Sequence, residues 1–146
     1  MTVDHTVQVN AYLSFRGDCE AAFEFYLRCL GGQVGLLFHY GGTPLADEVP
    51  PGRYGKIMHG SVTVGDQVIM GGDVAPDRYE EPRGLSMSLH IKGTAEADSV
   101  FHELAGGGRV VMPLEKTFWA ARFGMLVDRF VIPWLISCEG DHSTEA

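Results

Sequence analysis

An internal repeat with an offset of 76 residues constrains the fold more than any other feature of the sequence. Residues 12–34 (YLSFRGDCEAAFEFYLRCLGGQV) align without a gap on residues 88–110 (SLHIKGTAEADSVFHELAGGGRV), with eight identical pairs out of 23. Ordinary residue frequencies would give roughly one or two identities. The alternative is that two unrelated strand–helix units look alike because each needs a glycine, a helix cap and a Gly-Gly pair at the helix end. Because the match runs in register through strand, helix and next strand, it favours two copies of one module.

Each copy begins with an alternating strand followed by an amphipathic helix. Apolar side chains alternate with polar ones over residues 7–15, which indicates a half-buried strand with Val7, Val9, Ala11, Leu13 and Phe15 on the buried face. Asp18 and Thr94 are candidate helix caps, and Gly-Gly pairs predict the two helix ends. The first helix is expected to bury Cys19, Ala22, Phe23, Tyr26, Leu27 and Leu30, and the second, over 94–105, to bury Ala97, Val100, Phe101 and Leu104.

Three further strands follow each helix. They are predicted at 33–40, 56–64 and 67–74 in the first copy, and at 108–114, 121–128 and 132–138 in the second, which opens with a strand at 84–92. The expected fold class is therefore α+β, with two βαβββ modules over about 7–74 and about 84–139. A polar, proline-containing linker over about 73–84 joins them, and 146 residues suit one domain.

Composition and charge exclude several classes of protein. No apolar run approaches the roughly 18 residues that a membrane span needs, and the first residues lack the pattern of a signal peptide. Three cysteines without a CxxC spacing favour reduced thiols and a cytoplasmic location. A net charge of −8 argues against binding to nucleic acid. Neither the Gly-rich loop of a nucleotide-binding fold nor a GxSxG motif is present.

Five segments carry a resemblance to a known family: YLSFRGDCEAAFEFY (12–26), KIMHGSV (56–62), VIMGGD (68–73), MPLEKTFWAARFGMLVDRF (112–130) and PWLISCE (133–139). Together they resemble the vicinal oxygen chelate superfamily of glyoxalases, bleomycin-resistance proteins and dioxygenases. The PhnB-like branch, some of whose members carry the label 3-demethylubiquinone 3-methyltransferase, is the more similar part of it. The resemblance implies that the modules form a curled mixed-sheet cup lined by strand faces opposite the helices. It also implies a homodimer.

Metal-using members of that superfamily hold one divalent ion with His, Gln or Glu from the first and last strands of each module. The equivalent positions in this chain are expected to be Asn10, Met70, Ser86 and Leu135. An amide, a thioether, a hydroxyl and an alkyl chain are poor or impossible ligands for a divalent cation. We therefore expect neither the usual metal site nor any cofactor.

The predicted function is binding of a small organic ligand in the cup. The expected ligand-binding residues are Asn10, Tyr12, His59, Ser61, Met70, Ser86 and Ser88, with Trp119 and Arg122 at the rim. His59 is the best candidate for an acid/base or anchoring role because imidazole titrates near neutral pH, although a hydrogen-bonded structural histidine is the alternative. A metal-dependent isomerase, lyase or dioxygenase with a different ligand set around His59 is the second hypothesis, so catalysis stays undecided.

Two loops and the remaining histidines complete the predictions. The Gly- and Pro-rich loop 41–55 is either a lid or partner contact, or disordered.

Val131 stands where relatives usually have glycine, so we expect the turn over 128–131 to avoid positive φ, with Phe130 and Trp134 in the core. His39 is expected near a strand end, His90 on the Ser88 face and His102 on a solvated helix face, with His5 and His142 in frayed termini.

Overall fold

The computed structural model describes residues 7–140, which form two four-stranded mixed sheets, each packed against one helix. The predicted α+β class with two βαβββ modules is confirmed. The first module contains β1 (Ala11–Phe15), α1 (Cys19–Leu30), β2 (Gln33–His39), β3 (Ile57–Val64) and β4 (Gln67–Asp73). The second contains β5 (Met87–Ile91), α2 (Thr94–Ala105), β6 (Arg109–Glu115), β7 (Arg122–Val127) and β8 (Pro133–Cys138).

The two modules share one topology. Their strand orders are β1-β4-β3-β2 and β5-β8-β7-β6, with a parallel pair between first and last strands and antiparallel pairs elsewhere. Strands β1 and β5 are offset by 76 residues, and so are β2 and β6, as the repeat predicts. The chain divides into two compact units between Tyr79 and Glu80, within the predicted linker. Within residues 7–140 no helix has the length and apolar character that a bilayer crossing requires.

The helices bury one stripe each against their sheets. In α2 the four predicted residues are all buried. In α1 the buried residues are Cys19, Ala22, Phe23, Phe25, Tyr26 and Cys29. The predicted burial of Leu27 and Leu30 is wrong: both are only partly covered, while Phe25 packs its ring on Tyr26 and Cys29 is buried. The stripe is therefore wider than the sequence period indicated, and Leu27 and Leu30 lie at its margin.

Strands β1 and β5 are shorter than predicted. Pairing of β1 with β4 begins at Ala11 and Ile69, so residues 7–10 lie outside the strand. Val9 is 93% exposed, and the expected burial of Val7 and Val9 is wrong. Strand β5 likewise begins at Met87, which leaves Leu85 exposed. The alternation of apolar and polar residues extends to positions before the first paired residue, so it does not show where each strand begins.

A buried carboxylate replaces the predicted cap of α1. Asp18 occupies the N-cap position, but its side chain makes no capping hydrogen bond. Instead, Asp73, which is only 2% exposed, accepts the backbone N–H groups of Gly17 and Cys19 at Oδ1 and that of Ile57 at Oδ2. In the second module the N-cap is Gly93, and Thr94 is the first helical residue rather than the cap. The predicted capping roles of Asp18 and Thr94 are therefore wrong.

The turn between β7 and β8 is held by a second buried carboxylate, Asp128. Its Oδ1 accepts the N–H groups of Phe130 and Ile132, and its Oδ2 accepts the indole N–H of Trp134. Val131 adopts φ 70°, so the expectation that the turn avoids positive φ is wrong. Trp134 is buried as predicted, whereas Phe130 is only half-buried because it lies in the turn itself.

The segment 40–56 is folded into three short 3-10 turns, Tyr40–Gly42, Pro44–Glu48 and Pro51–Arg53. Backbone bonds from Tyr40 N to Lys56 O and from Gly41 N to Tyr54 O close its base. The hydroxyl of Tyr40 donates to Asp73 O, and the guanidinium of Arg53 donates to Val74 O. These contacts contradict the disordered alternative for loop 41–55.

Candidate functional site

Each sheet has one face against its helix and one face away from it, which we call the open face. A Cβ at Gly60 or Gly71 would contact the ring of Phe23 in α1, so these positions face the helix. Their neighbours in the strands therefore lie on the open face of the first sheet. Strand pairing places Met70 between Tyr12 and Ser61 on that face.

The rings of Tyr12 and His59 stack on the first open face, with centroids 5.8 Å apart and planes 16° from parallel. Gly72 lies under this pair. A Cβ at Gly72 would come within 2.9 Å of the Tyr12 hydroxyl and 2.6 Å of the Met58 carbonyl oxygen. The absence of a side chain at Gly72 therefore leaves room for the stack.

Tyr12 presents a protonated phenol at neutral pH. Partial burial raises the pKa of Tyr12 above its ordinary value of 10.0, and the thiol of Cys19, the phenol of Tyr40 and the carboxylate of Asp73 raise it further. The side chain is nevertheless 49% exposed. The Tyr12–His59 pair thus offers one hydroxyl and one imidazole at a surface that a ligand can reach.

Ser61 has a structural contact of its own on this face. Its hydroxyl oxygen accepts the backbone N–H of Leu36 at 3.0 Å, at the place where the register of β2 shifts against β3. The serine is buried, and a Cβ at Gly35 would lie 2.6 Å from its oxygen. The Ser61 hydroxyl therefore stabilises the part of β2 between Val34 and Leu37, where the register against β3 shifts. Asn10 lies one residue before β1 and is partly exposed.

The open face of the second sheet carries both apolar and polar side chains. Ser88 pairs with Leu135, which pairs in turn with Met125, and Phe123 pairs with Ser137. Ser88 is exposed, while Ser86 precedes β5. His90 lies on the Ser88 side as predicted, with its Nε2 3.8 Å from Glu139 Oε2, and both side chains are largely exposed.

The predicted rim residues lie in the segment between β6 and β7 and at the start of β7. Trp119 is 56% exposed and meets the rings of Phe118 and Phe123 edge-on, at 4.8 and 5.3 Å. Arg122 is on the helix side of β7, where its Nε donates to Asp98 of α2 and its Nη1 to Ala121 O. Both residues line a cavity of about 460 Å³. Only Trp119 extends toward the open face, through Phe123.

The strand positions at which the resemblance implied a metal do not carry side chains that fit a divalent ion. The side chains that meet across the first and last strands are Tyr12 with Met70 and Ser88 with Leu135. Asn10 and Ser86, the predicted partners, lie before these strands. A phenol, a thioether, a hydroxyl and an alkyl chain do not form a donor set for a hard cation.

Histidines elsewhere do not supply such a set. Over residues 7–140 no cluster of three or more His, Cys, Asp or Glu side chains is suited to a metal. His39 lies at the end of β2 as predicted, with its Nε2 3.3 Å from Glu20 Oε1, and His102 lies exposed on α2. His5 and His142 are outside the described residues.

A second cavity, of about 470 Å³, adjoins the first open face and was not predicted. It is lined by Phe38, Gly42, Thr43, Pro44, Leu45 and Met58. The sequence signal for it was the length of loop 41–55, which indicated a lid or partner contact, or disorder, but did not indicate a cavity.

The comparisons with known proteins agree with this architecture. The family model of the Glyoxalase/Bleomycin resistance protein/Dioxygenase superfamily matches residues 2–136. The chain belongs to this superfamily. Protein YjdN of Escherichia coli K12 is 30% identical over 145 residues, which cover 94% of this chain and 99% of YjdN.

Two solved structures share both fold and sequence with this superfamily member. Protein PA1353 of Pseudomonas aeruginosa has a TM-score of 0.85 at 42% identity, with 93% of this chain and all of PA1353 covered. The PhnB protein of Bacillus cereus has a TM-score of 0.78 at 26% identity, with 90% and 99% covered. The predicted similarity to the PhnB-like branch is therefore confirmed. The fosfomycin resistance protein FosX of Listeria monocytogenes, at 11% identity and a TM-score of 0.65, shares the fold alone.

Proposed function

We propose that this chain binds a small organic molecule at the open face of its first sheet, without the divalent metal used by other members of the superfamily. The observation that carries the proposal is the Tyr12–His59 stack, a half-exposed pair of polar rings above Gly72. Ligand sites typically combine apolar area with a few polar groups that fix orientation. Tyr12, His59 and Met70 provide this combination.

The two rings have complementary roles in this proposal. The phenol of Tyr12 donates a hydrogen bond, since its raised pKa keeps it protonated at neutral pH. The imidazole of His59 accepts or donates according to its tautomer, and it anchors a hydroxyl or carbonyl group. Ser88 and Trp119 stay proposed ligand-binding residues within the second module, separate from the Tyr12–His59 pair. We propose a cytoplasmic homodimer as the working form.

The alternative is an isomerase, lyase or dioxygenase that uses a metal held by His59 and other ligands. Only the position of His59 on an accessible strand face favours it. In the described part of the chain, no acidic, cysteine or further histidine side chains join His59 in a cluster suited to a metal. Binding without a metal is therefore the function that these side chains support best.

The experiment combines elemental analysis with ligand screening. Protein purified without chelator or affinity metal is expected to contain Zn, Ni, Fe and Mn only far below one equivalent, also after soaking. A panel of aromatic and antibiotic compounds is then screened by thermal unfolding, where a ligand at 100 times its dissociation constant adds about 2.7 kcal/mol. One bound metal per chain would support the enzyme, and a panel without any shift would contradict the binder.

A matched pair of variants tests the site itself. His59→Ala is expected to weaken the ligand-induced stabilisation while the unliganded protein still folds. His102→Ala removes an exposed imidazole from α2 and is expected to leave the stabilisation unchanged. Unfolding of the His59→Ala protein would instead identify His59 as a structural histidine.

A further inference from the structure

The first module carries an insertion that the second lacks. Residues 40–56 separate β2 from β3, whereas only residues 116–121 separate β6 from β7. The insertion is anchored at its base by the bonds of Tyr40 and Gly41 to Lys56 and Tyr54. Arg53 adds a bond to Val74 O and stacks over the ring of Tyr40. The cavity of about 470 Å³ beside it is therefore lined by an anchored loop and by sheet residues.

The lining of this cavity has little hydrogen-bonding capacity. Phe38, Pro44, Leu45 and Met58 contribute apolar surface, and no lining residue carries a charge. The one polar side chain is that of Thr43, whose hydroxyl donates to Tyr40 O and accepts from Leu45 N. An occupant of this cavity is therefore stabilised by burial of its own apolar surface.

Two residues that line the cavity are direct neighbours of His59 in the sheet. Met58 directly precedes His59 in β3, and Phe38 is the residue of β2 that pairs with His59. Tyr12 stacks on the other side of the same imidazole. The apolar cavity and the polar Tyr12–His59 pair therefore lie next to each other along β3.

We infer that the cavity under residues 40–56 receives the apolar part of the ligand, while its polar group meets His59 and Tyr12. The ligand class is an uncharged molecule with an alkyl or aryl group and one hydroxyl, such as an alkylphenol. A volume of about 470 Å³ lies within the usual range of small-molecule sites. This inference rests on the proposed function and specifies its ligand.

The test uses phenol, 4-ethylphenol, 4-propylphenol and 4-butylphenol, with affinity measured by isothermal titration calorimetry. Each added methylene group that becomes buried is expected to lower the dissociation constant about fourfold. Gly42→Leu fills the cavity, because Gly42 lines it, has open space within 4 Å of the place a Cβ would take and has no positive φ. In this variant the gain from the alkyl chain is expected to vanish.

Gly52→Leu is the matched control. Gly52 lies in the same insertion, also has open space around a Cβ, and does not line the cavity. It is expected to keep the fourfold steps. Circular dichroism of both variants checks that the fold is retained.

The outcomes separate this inference from the proposed function. Phenol binding that depends on His59 but shows no gain with chain length would overturn the inference and leave the proposed function standing. Failure of the whole series to bind would overturn the inference, and the broader panel would then decide the function. Loss of the dimer in Gly42→Leu, with the alkylphenol steps intact, would show that a second copy occupies the cavity, and this also contradicts the inference.

Discussion

Replacing Asp128 by asparagine tests the packing of the second module most sharply. Asp128 is 2% exposed, and its carboxylate accepts three N–H groups, at 2.7 Å from Phe130, 3.0 Å from Ile132 and 2.8 Å from Trp134. Asparagine keeps the shape but has only one oxygen. If that oxygen serves the two backbone groups, the new NH₂ group faces the indole N–H, which is buried because Trp134 is 1% exposed.

The expected cost follows from these bonds. A hydrogen bond to a charged group contributes roughly 1.5–3 kcal/mol, and a buried donor left unpaired costs about 1–3 kcal/mol. Because the two contributions are not fully additive, we expect Asp128→Asn to lower the free energy of unfolding by about 3 kcal/mol. For a chain of this length that corresponds to a melting temperature lower by roughly 6–12 °C.

Urea unfolding monitored by tryptophan fluorescence measures this loss of stability. The chain has two tryptophans, so a Trp119→Phe background leaves Trp134 as the reporter of the second module. Asp66→Asn, at the exposed β3–β4 turn, is the control and is expected to change stability by less than about 0.5 kcal/mol.

A double-mutant cycle isolates the indole contact. The cycle pairs Asp128→Asn with Trp134→Phe and is followed by circular dichroism, because the second change removes the fluorescent reporter. It is expected to give a coupling energy of about 1–3 kcal/mol. A cost of Asp128→Asn below about 1 kcal/mol, or no coupling to Trp134, would refute the role assigned to this carboxylate.

Three further predictions concern single residues. Since Val131 has φ 70°, Val131→Gly is expected to be more stable than Val131→Ala by about 1 kcal/mol in urea unfolding, and the reverse order would contradict the strain. Because the pKa of Tyr12 is raised in the folded protein, the protonated phenol stabilises the fold fully below about pH 10, and this contribution is lost as the pH rises through the raised pKa. Tyr12→Phe is therefore expected to reduce the loss of folding stability at alkaline pH. An unchanged dependence of stability on pH would contradict this prediction. Burial, with Asp73 next, raises the pKa of the Cys19 thiol, so its labelling by a thiol reagent is expected to follow unfolding, and rapid labelling of the native protein would disprove the burial.

Much of the fold could be predicted because its signals are local and repeated. The offset of 76 residues placed β1, β2, β5 and β6, and the Gly-Gly pairs placed the ends of both helices. Alternation separated Tyr12 from Leu13 and Phe15 correctly. Strand ends were less accurate, since pairing with β4 and β8, rather than alternation, decides where β1 and β5 begin.

The site and the buried carboxylates were predicted less completely because they depend on contacts between distant segments. Asp73 lies near the end of the predicted strand 67–74, and only the fold brings Gly17 and Ile57 to its carboxylate. Arg122 lies two residues from Gly124 on the side of β7 that faces α2, a consequence of the register that its sequence neighbours do not reveal. The positive φ of Val131 is tolerated because Asp128 accepts the N–H groups of the two residues that flank it, Phe130 and Ile132. The preference of valine for negative φ does not predict this stabilisation.

The most direct test of metal-free ligand binding is an NMR titration of protein treated with a chelator. The ring resonances of His59 are followed as a ligand from the panel is added, with those of His102 as the internal reference. Binding at the Tyr12–His59 pair predicts a saturable shift of His59 and none of His102, with no divalent metal present. A His59 resonance that stays unchanged, or that shifts only after a divalent metal is added, would contradict the account.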